Sequence, residues 1–296
     1  MKASIIGAEI ADLILRPVDK EIFSKGSIAI KEVRHTYGGD ALNEAVDLAR
    51  LGNKIKLFTC LGKDKLALEI KNYLKENDVK TYIKEKECNT SQNIVLVDDG
   101  GERYFITQDD TSLRALDLED IDIDQLEGIV SFASVFVSKK LDIAKMTHLF
   151  EEIKRHEHIL CIDFTKAKNG EKLSMMKEML KHVDYMFINE EELKMIADDD
   201  EPIEKILRYG TKHIIVKEGK DGATLYTKDQ KIKNEALDTF VISTSGAGDA
   251  FVAGFINGLI KGRSLAECLR LANLAGSLVS SRASNHLKKE DKELFI

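Results

Sequence analysis

Short apolar runs alternate with longer segments of helical period along most of the chain. The apolar runs predict strands at Ser4–Ile6, Ile55–Leu61, Val130–Val137, Ile159–Asp163, Tyr185–Ile188 and His213–Lys217. The helical segments are Ala41–Leu51, Leu66–Asn77, Ile143–Arg155, Leu173–His182, Glu190–Ala197, Ile203–Tyr209, about Gly248–Lys261 and Leu265–Ser281. Alternation of strands and helices with short links predicts an α/β fold, with a mostly parallel central sheet and helices on both faces.

Two stretches, about residues 12–34 and 92–107, break this alternation and predict extended, turn-linked segments. The second contains two apolar runs, Asn93–Val97 and Glu102–Ile106, separated by Asp-Asp-Gly-Gly, which is typical of a β-hairpin. We expect the two stretches to form a small β lid over one edge of the main sheet. Residues 1–296 are therefore predicted to be a single domain that includes this lid.

The charge balance argues against a nucleic-acid partner. The chain has 296 residues with 44 basic and 51 acidic side chains, a net charge of −7, and 43% hydrophobic residues. A hydrophobic content of this size supports a large core, while the negative net charge provides no general attraction for polyanions. Any anionic ligand must therefore be held by local geometry.

The cysteines and the apolar runs indicate a cytoplasmic protein. The four cysteines lie far apart without a C-x-x-C pair, which favours reduced thiols and no zinc site. No run of about 18 apolar residues occurs, and the apolar N-terminal stretch is too short for a signal peptide, so a membrane role is not expected.

The stretch from Ser243 to Phe251, Ser-Thr-Ser-Gly-Ala-Gly-Asp-Ala-Phe, carries the strongest chemical signal. It is a turn of small residues that leads into an apolar helix, so the backbone N–H groups of Gly246, Ala247 and Gly248 could bind an anion. Asp249 would lie in the first turn, where a carboxylate could accept a proton from an attacking hydroxyl. Taken alone, the same pattern also fits a glycine-rich loop with a capping aspartate.

Two separate signatures resemble the ribokinase-like, or PfkB, carbohydrate kinase family. Thr244-x-Gly246-Ala247-Gly248-Asp249 is similar to the C-terminal signature of that family. The N-terminal signature begins at Gly38-Gly39 with Asn43 and continues at the family spacing to Gly52 and Gly62. The resemblance runs from Gly7 to about Ser281. It implies an ATP-dependent kinase that phosphorylates a hydroxymethyl group of a small sugar-like substrate, with Asp249 as the base.

The resemblance also implies the substrate-binding residues. Asp12, Gly38, Gly39 and Asn43 match positions of the family's sugar site. A carboxylate at the end of a strand, such as Asp12, suits two hydroxyl groups of a diol. Arg103 would project from the predicted hairpin, where some members of the family contact their substrate, and an exposed arginine without a ligand is the alternative interpretation.

On the nucleotide side, Asn189 and Glu192 match the N-x-x-E motif that organises Mg²⁺ in the family. The same pair fits a helix cap with its capping-box partner, and both interpretations stay open. The other positions that the resemblance places near the nucleotide are Lys217, Gly219, Gly222, Thr244 and Asn273. A solvated lysine at Lys217 and a packing role for the helix of Asn273 are the alternative interpretations.

Several points stay open at this stage. Ser243 stands where many members have an aspartate that holds the loop and, in some, a monovalent cation, so K⁺ dependence is uncertain. A nucleoside kinase of the adenosine or pseudouridine type and a catalytically silent metabolite-binding protein are the alternative functions. The resemblance further implies a homodimer formed through the lid.

Overall fold

The computed structural model describes residues 2–167 and 170–296. The strands are β1 (Lys2–Ile6), β2 (Ile10–Arg16), β3 (Glu32–Gly38), β4 (Lys54–Leu61), β5 (Lys80–Glu85), β6 (Gln92–Val97), β7 (Arg103–Thr107), β8 (Ile129–Val135), β9 (Ile159–Phe164), β10 (Tyr185–Asn189), β11 (His213–Lys217), β12 (Ala223–Tyr226) and β13 (Lys231–Asn234). The α-helices are α1 (Ile22–Lys25), α2 (Asp40–Arg50), α3 (Lys65–Glu76), α4 (Ile143–Arg155), α5 (Lys177–Leu180), α6 (Glu190–Ile196), α7 (Pro202–Tyr209), α8 (Ala247–Ile260) and α9 (Leu265–Ser280).

Nine of these strands form the central sheet in the order β13-β12-β11-β10-β9-β8-β1-β4-β5. The strands from β11 to β5 pair in parallel, and β12 and β13 add an antiparallel edge. The carboxyl ends of the parallel strands therefore meet along one edge of the sheet, which is where open α/β sheets bind ligands. The predicted mostly parallel sheet is confirmed.

Helices cover both faces of this sheet, as predicted. Ile5 and Leu57 belong to one apolar core with residues of α2, α3, α8 and α9. Their chain neighbours Ile6 and Phe58 belong to a second core with residues of α4 to α7. Because successive side chains of a strand point to opposite faces, the two cores lie on opposite sides of the sheet.

Helix α8 is apolar on nearly all sides and packs closely against α9. A Cβ atom on Gly254 would lie 2.6 Å from the carbonyl oxygen of Leu271, so a larger residue could not occupy this position without moving the backbone. A helix that is buried all round holds a fixed position. The N-terminus of α8, which carries Gly248 and Asp249, is therefore held rigidly at the edge of the sheet.

A second sheet of four strands has the order β3-β2-β6-β7. It contains the two stretches that break the sequence alternation, but its strands extend from Ile10 to Arg16 and from Glu32 to Gly38, beyond the expected bounds. The predicted hairpin is present as β6 and β7, with Val97 opposite Arg103. We call these four strands the small sheet.

Some predicted elements were wrong. Leu173–His182 is not one helix, because a 3₁₀ turn at Leu173–Met175 precedes the short α5. The sequence pattern also missed three strands at the sheet edges, β5, β12 and β13. Strand β5 (Lys-Thr-Tyr-Ile-Lys-Glu) and strand β13 (Lys-Ile-Lys-Asn) contain no fully buried residue and few apolar ones, since an edge strand is only half covered. None of the described helices is both long and apolar enough to cross a membrane.

Candidate active site

The loop before α8 with the first two residues of that helix, residues 243–248, has a geometry that suits an anion, and we call it the anion loop. Gly246 adopts a left-handed φ of +77°, and a Cβ atom there would lie 2.2 Å from the carbonyl oxygen of Asn285, so only glycine fits. The Ala247 N–H closes a turn by donating to the Thr244 carbonyl at 3.2 Å. Within the described part of the chain, the N–H groups of Gly246 and Gly248 donate to no backbone acceptor. Two of the three predicted amides are therefore left for a ligand at this helix N-terminus.

Asp249 lies half-buried in the first turn of α8, and Asn43 holds its carboxylate. The side-chain amide of Asn43 donates to Oδ2 of Asp249 at 2.6 Å. Desolvation raises the pKa of Asp249 above its usual range, while the hydrogen bond from Asn43 and the charge of Lys217 oppose this rise. A raised pKa makes a carboxylate a better proton acceptor, and a fixed orientation aims it at one position.

Asn43 itself is buried at the start of α2, with 5% of its surface exposed. Its Oδ1 atom has no hydrogen-bond partner among the described residues. The side chain therefore orients Asp249 with its amide while its oxygen stays available to a ligand hydroxyl. The sequence placed Asn43 at the substrate but gave no sign of its contact with Asp249.

Lys217 and Asp163 form a buried ion pair beside the anion loop. Nζ of Lys217 lies 2.7 Å and 3.0 Å from the two carboxylate oxygens of Asp163. A Cβ atom built on Gly248 would lie 3.8 Å from the same Nζ, so the ammonium group borders the first turn of α8. Burial raises the pKa of Asp163 to about 7 despite the opposing charge of Lys217. The pKa of Lys217 rises to about 12, because the charges of Asp163 and Glu192 outweigh its burial.

Asp163 was missed as a site residue by the sequence reasoning. Residues 159–163 were predicted as a strand, and an acidic residue at the carboxyl end of a buried parallel strand was the signal available. Strand pairing brings Phe187 opposite Asp163 and Asn189 opposite Lys217, so the ends of β9, β10 and β11 lie side by side. Asp163 thereby meets a lysine that is 54 positions away in the chain.

Gly38 and Gly39 connect the small sheet to α2. Gly39 has a φ of +94°, and a Cβ atom there would lie 2.7 Å from the Cα atom of Glu9. Gly38 lies next to Asn43, since a Cβ atom on it would be 3.4 Å from Oδ1 of Asn43. Gly38 therefore lets the backbone pass close to the unpartnered oxygen of Asn43, while Gly39 lets it pack against the backbone of Glu9.

Asp12 and Arg103 face a shared cavity between the small sheet and the segments that precede α8 and follow α9. Asp12 Oδ1 accepts a hydrogen bond of 3.0 Å from the Asn93 amide, and burial raises the pKa of Asp12. Arg103 donates to Oγ of Ser243 at 3.0 Å, which links the hairpin to the anion loop. The residues that line the cavity are Asp12, Ile14, Arg16, Arg34, Val95, Arg103, Phe105, Ile242, Ser243, Ser245, Ala283 and Asn285.

Ser243 has a structural role in the loop. Its Oγ accepts the backbone N–H of Ser245 at 3.3 Å as well as the guanidinium of Arg103. A hydroxyl therefore holds the turn without adding a negative charge next to Arg103.

Asn189 and Glu192 form a capping box at the start of α6. The Glu192 N–H donates to Asn189 Oδ1 at 2.8 Å, and the Asn189 N–H donates to Glu192 Oε2 at 2.9 Å. The interpretation of this motif as a helix cap with its capping-box partner is therefore confirmed. The described residues contain no group of three His, Cys, Asp or Glu side chains that could hold a metal ion. Since Mg²⁺ keeps several waters and needs few protein ligands, the pair fits contact through water better than direct ligation.

Of the remaining predicted positions, Gly222 and Asn273 contact the end of β13 and the segment that follows it. Gly222 has a φ of +89°, and its close approach to the Asn234 carbonyl leaves no room for a Cβ atom, while Gly219 has a φ of +61° in open space. The Asn273 amide donates to the Asn234 carbonyl at 2.8 Å, which ties α9 to β13. Thr244 is exposed. Asn273 thus holds the backbone at the end of β13, a contact that the sequence did not show.

A profile of the pfkB family carbohydrate kinases matches residues 2–291. The chain belongs to the pfkB family of carbohydrate kinases. This family membership confirms the resemblance drawn from the two signatures and makes the protein an ATP-dependent phosphotransferase for an alcohol group.

Curated relatives of this pfkB-family kinase differ in their substrates. It is 27% identical over 247 residues to the ATP-dependent 6-phosphofructokinase of Thermoanaerobacterium thermosaccharolyticum, covering 79% of this chain and 76% of the relative. It is 26% identical over 288 residues to the nucleoside kinase of Methanocaldococcus jannaschii, covering 94% and 90% of the two chains. The structure of Arabidopsis thaliana ribokinase complexed with ribose and ATP superposes with a TM-score of 0.79 at 20% identity, covering 99% of this chain and 97% of the ribokinase. The fold is therefore ribokinase-like.

Proposed function

We propose that this pfkB-family kinase transfers the γ-phosphoryl group of Mg·ATP to a primary hydroxyl of a small sugar or sugar-like molecule, with Asp249 as general base. The observation that carries the proposal is the contact of 2.6 Å between Asn43 and Asp249 at the N-terminus of α8. It joins the two signatures of the chain in one site. Asp249 as the base, Asn43 that orients it and the anion loop therefore belong to one site.

This geometry supports a role for each group in the proposed reaction. Asp12 and the oxygen of Asn43 accept hydrogen bonds from substrate hydroxyls, and Gly38 and Gly39 let the substrate approach the backbone. Asp249 accepts the proton of the primary hydroxyl as its oxygen attacks phosphorus in line. The Gly246 and Gly248 amides stabilise the negative charge on the transferred group.

Lys217 and the polar groups at the ends of β9 and β10 complete the nucleotide side. Lys217 is placed beside Gly248, so its ammonium reaches the transferred phosphoryl group while Asp163 keeps it fixed. Mg²⁺ supplied with ATP would neutralise part of the charge of the phosphate groups. Asn189 and Glu192 would hold the waters of that ion rather than the ion itself.

We further propose that the small sheet is a lid and a dimer interface. Arg103 of the hairpin and Ser243 of the loop before α8 both line the cavity and are joined by a hydrogen bond, so movement of the hairpin would break this link and open the site. The side of the small sheet that faces away from the cavity exposes apolar side chains, including Val33, Tyr104 and Ile106. A second copy of the chain would cover them.

The four free cysteines fit the reducing cytoplasm, where we place the protein.

A nucleoside kinase is the second candidate, because the Methanocaldococcus jannaschii relative that matches most of the chain has that name. The cavity argues for a sugar-like substrate instead. Among the described residues that line it, Phe105 is the single aromatic side chain, and it is 59% exposed. Stacking on a nucleobase would need a more enclosed aromatic surface.

The test is release of ADP from Mg·ATP with ribose, fructose, gluconate, fructose 6-phosphate and adenosine as acceptors. We expect turnover with at least one compound and a loss of roughly 100-fold or more in kcat for Asp249→Asn, because general-base catalysis contributes about 10²–10⁴-fold. Asp229→Asn is the matched control, since this exposed turn residue makes no side-chain contact within the described chain.

The outcomes separate the candidate functions. Turnover of adenosine alone would establish the nucleoside kinase. Turnover that survives Asp249→Asn would refute the assigned base. A folded protein that binds ATP and releases no ADP with any acceptor would support the silent metabolite-binding alternative.

A further inference from the structure

Three arginines of the small sheet lie on the side that faces the cavity. Asp12, Ile14 and Arg16 follow one another at a spacing of two along β2, so their side chains share one face. Strand pairing places Arg34 of β3 opposite Ile14. Arg103 lies on β7 two residues before Phe105, which is opposite Val95. Arg16, Arg34 and Arg103 all line the cavity, although they come from three strands.

Few negative charges oppose these arginines. Asp12 is the one carboxylate among the described residues that line the cavity. Glu32 lies at its border and pairs with Arg16 at 2.6 Å. Three guanidinium groups therefore face two carboxylates, in a chain whose net charge is −7. The cavity is a local positive region in an acidic protein.

Two of the arginines, Arg34 and Arg103, form no ion pair within the described chain, although the charge of Arg103 acts on the nearby carboxylate of Asp12. Within the described chain, Arg34 makes no hydrogen bond and no ion pair. Arg103 donates to the neutral hydroxyl of Ser243. Guanidinium groups that face the same space repel each other, and neither a neutral sugar nor a nucleoside would relieve that repulsion. A phosphate or a carboxylate would, because it accepts paired hydrogen bonds from the guanidinium fork.

The positions of these groups also fit a small anionic sugar. Arg34 lies opposite Ile14, two residues along β2 from Asp12, which is a separation of roughly 7 Å along the strand. Asp12 suits the hydroxyl groups of a sugar, and a short carbon chain bridges this distance to its anionic end. One molecule can therefore reach both groups.

We infer that the acceptor substrate carries a negatively charged group, a phosphate or a carboxylate, and that Arg34 and Arg103 bind it with support from Arg16. This inference rests on the proposed function and narrows its substrate class to anionic sugars. The kinase then adds a phosphoryl group to a molecule that is already charged. The reaction that supplies its substrate must be one that phosphorylates a sugar or oxidises it to an acid.

The experiment compares matched pairs of acceptors in the ADP-release assay. Fructose is paired with fructose 6-phosphate and fructose 1-phosphate, and glucose is paired with gluconate. The enzyme variants are Arg34→Gln, Arg103→Gln and the control Arg155→Gln. Arg155 lies on the exposed face of α4, where it pairs with Glu151 and Glu152, so its replacement removes the same charge far from the cavity.

We expect an anionic acceptor to exceed its neutral counterpart in kcat/KM by roughly 10- to 100-fold, the range given by one charge-assisted hydrogen bond. Arg34→Gln should remove a similar factor, mainly through KM, and change the neutral counterpart far less. Arg155→Gln should behave like the wild type. Preference for a phosphate ester or for the acid distinguishes the two sources of negative charge, and either result supports the inference.

Three other results would contradict the inference that the acceptor is anionic. Equal use of the neutral and anionic acceptors, with turnover that depends on Asp249, would leave the proposed function intact and refute the anion site. An equal loss in Arg34→Gln and Arg155→Gln would also refute it. Absence of ADP release with every acceptor would refute the proposed function and this inference together.

Discussion

Glu9 gives a prediction that the structure makes quantitative. Its side chain is 1% exposed, beneath the backbone of Gly39, and accepts a hydrogen bond from the Thr59 hydroxyl. Its second oxygen has no partner among the described residues. Burial therefore disfavours the charged form and raises the pKa of Glu9 from 4.5 to about 8.

The pH dependence of stability follows from this shift. The folded pKa is raised, so the stabilising contribution is complete below pH 4.5 and is lost as the pH rises through about 8. In that interval the unfolded chain has released the proton that the folded chain retains. The free energy of unfolding therefore falls by up to about 1.4 kcal/mol per pH unit, which amounts to about 3 to 4 kcal/mol between pH 5 and pH 8.

The substitution Glu9→Gln removes this titration while it keeps the shape of the side chain. We expect the free energy of unfolding of Glu9→Gln, relative to that of the wild type, to rise by about 3 to 4 kcal/mol from pH 5 to pH 8. Urea unfolding followed by circular dichroism at intervals of half a pH unit measures both proteins. Taking the difference cancels the titration of distant groups that the two proteins share.

Glu204→Gln is the control, because Glu204 is exposed at the start of α7 and makes no side-chain contact within the described residues. Its difference from the wild type should stay constant with pH. A constant difference for Glu9→Gln as well would show that Glu9 is ionised in the folded protein. The reasoning from burial would then be wrong.

Two further predictions concern the base and the assembly. Asn43→Ala removes the hydrogen bond that favours the charged form of Asp249. The acidic limb of the profile of kcat/KM against pH should therefore move to higher pH. A substitution that lowers kcat/KM equally at every pH would contradict this role of Asn43. In sedimentation velocity the wild type should have twice the chain mass of 33.2 kDa, and Ile106→Lys on the exposed apolar face of the small sheet should sediment as a monomer. A wild-type monomer at micromolar concentration would exclude the proposed dimer.

The sequence was most informative where a function depends on neighbouring residues. Gly246, Gly248 and Asp249 lie within one turn, so their spacing in the chain is enough to place an anion beside a carboxylate. The same holds for Gly39, whose left-handed conformation belongs to a local turn. Strand and helix periods were equally local, so most of the buried elements were predicted within a few residues of their observed bounds.

Features that depend on tertiary packing could not be predicted from the sequence. Asp163 acquires its role from pairing with Lys217, and this requires the order of the strands in the central sheet. Nothing in the sequence singles out Arg16 and Arg34, because only the strand register places them on one face with Arg103. The partner of the Asn273 amide likewise depends on how α9 packs against β13.

The alternation of side chains in the small sheet constrains how this enzyme can vary. Odd and even positions along β2 and β7 serve opposite faces, one lined with arginines and the other with aliphatic and aromatic groups. Point substitutions can therefore change one face and leave the other intact. Insertion or deletion of a single residue inside a strand would exchange the two faces beyond that point, turning the guanidinium groups outward. Length differences among close homologues should thus be confined to the turns, such as residues 98–101, while the strands keep a fixed length.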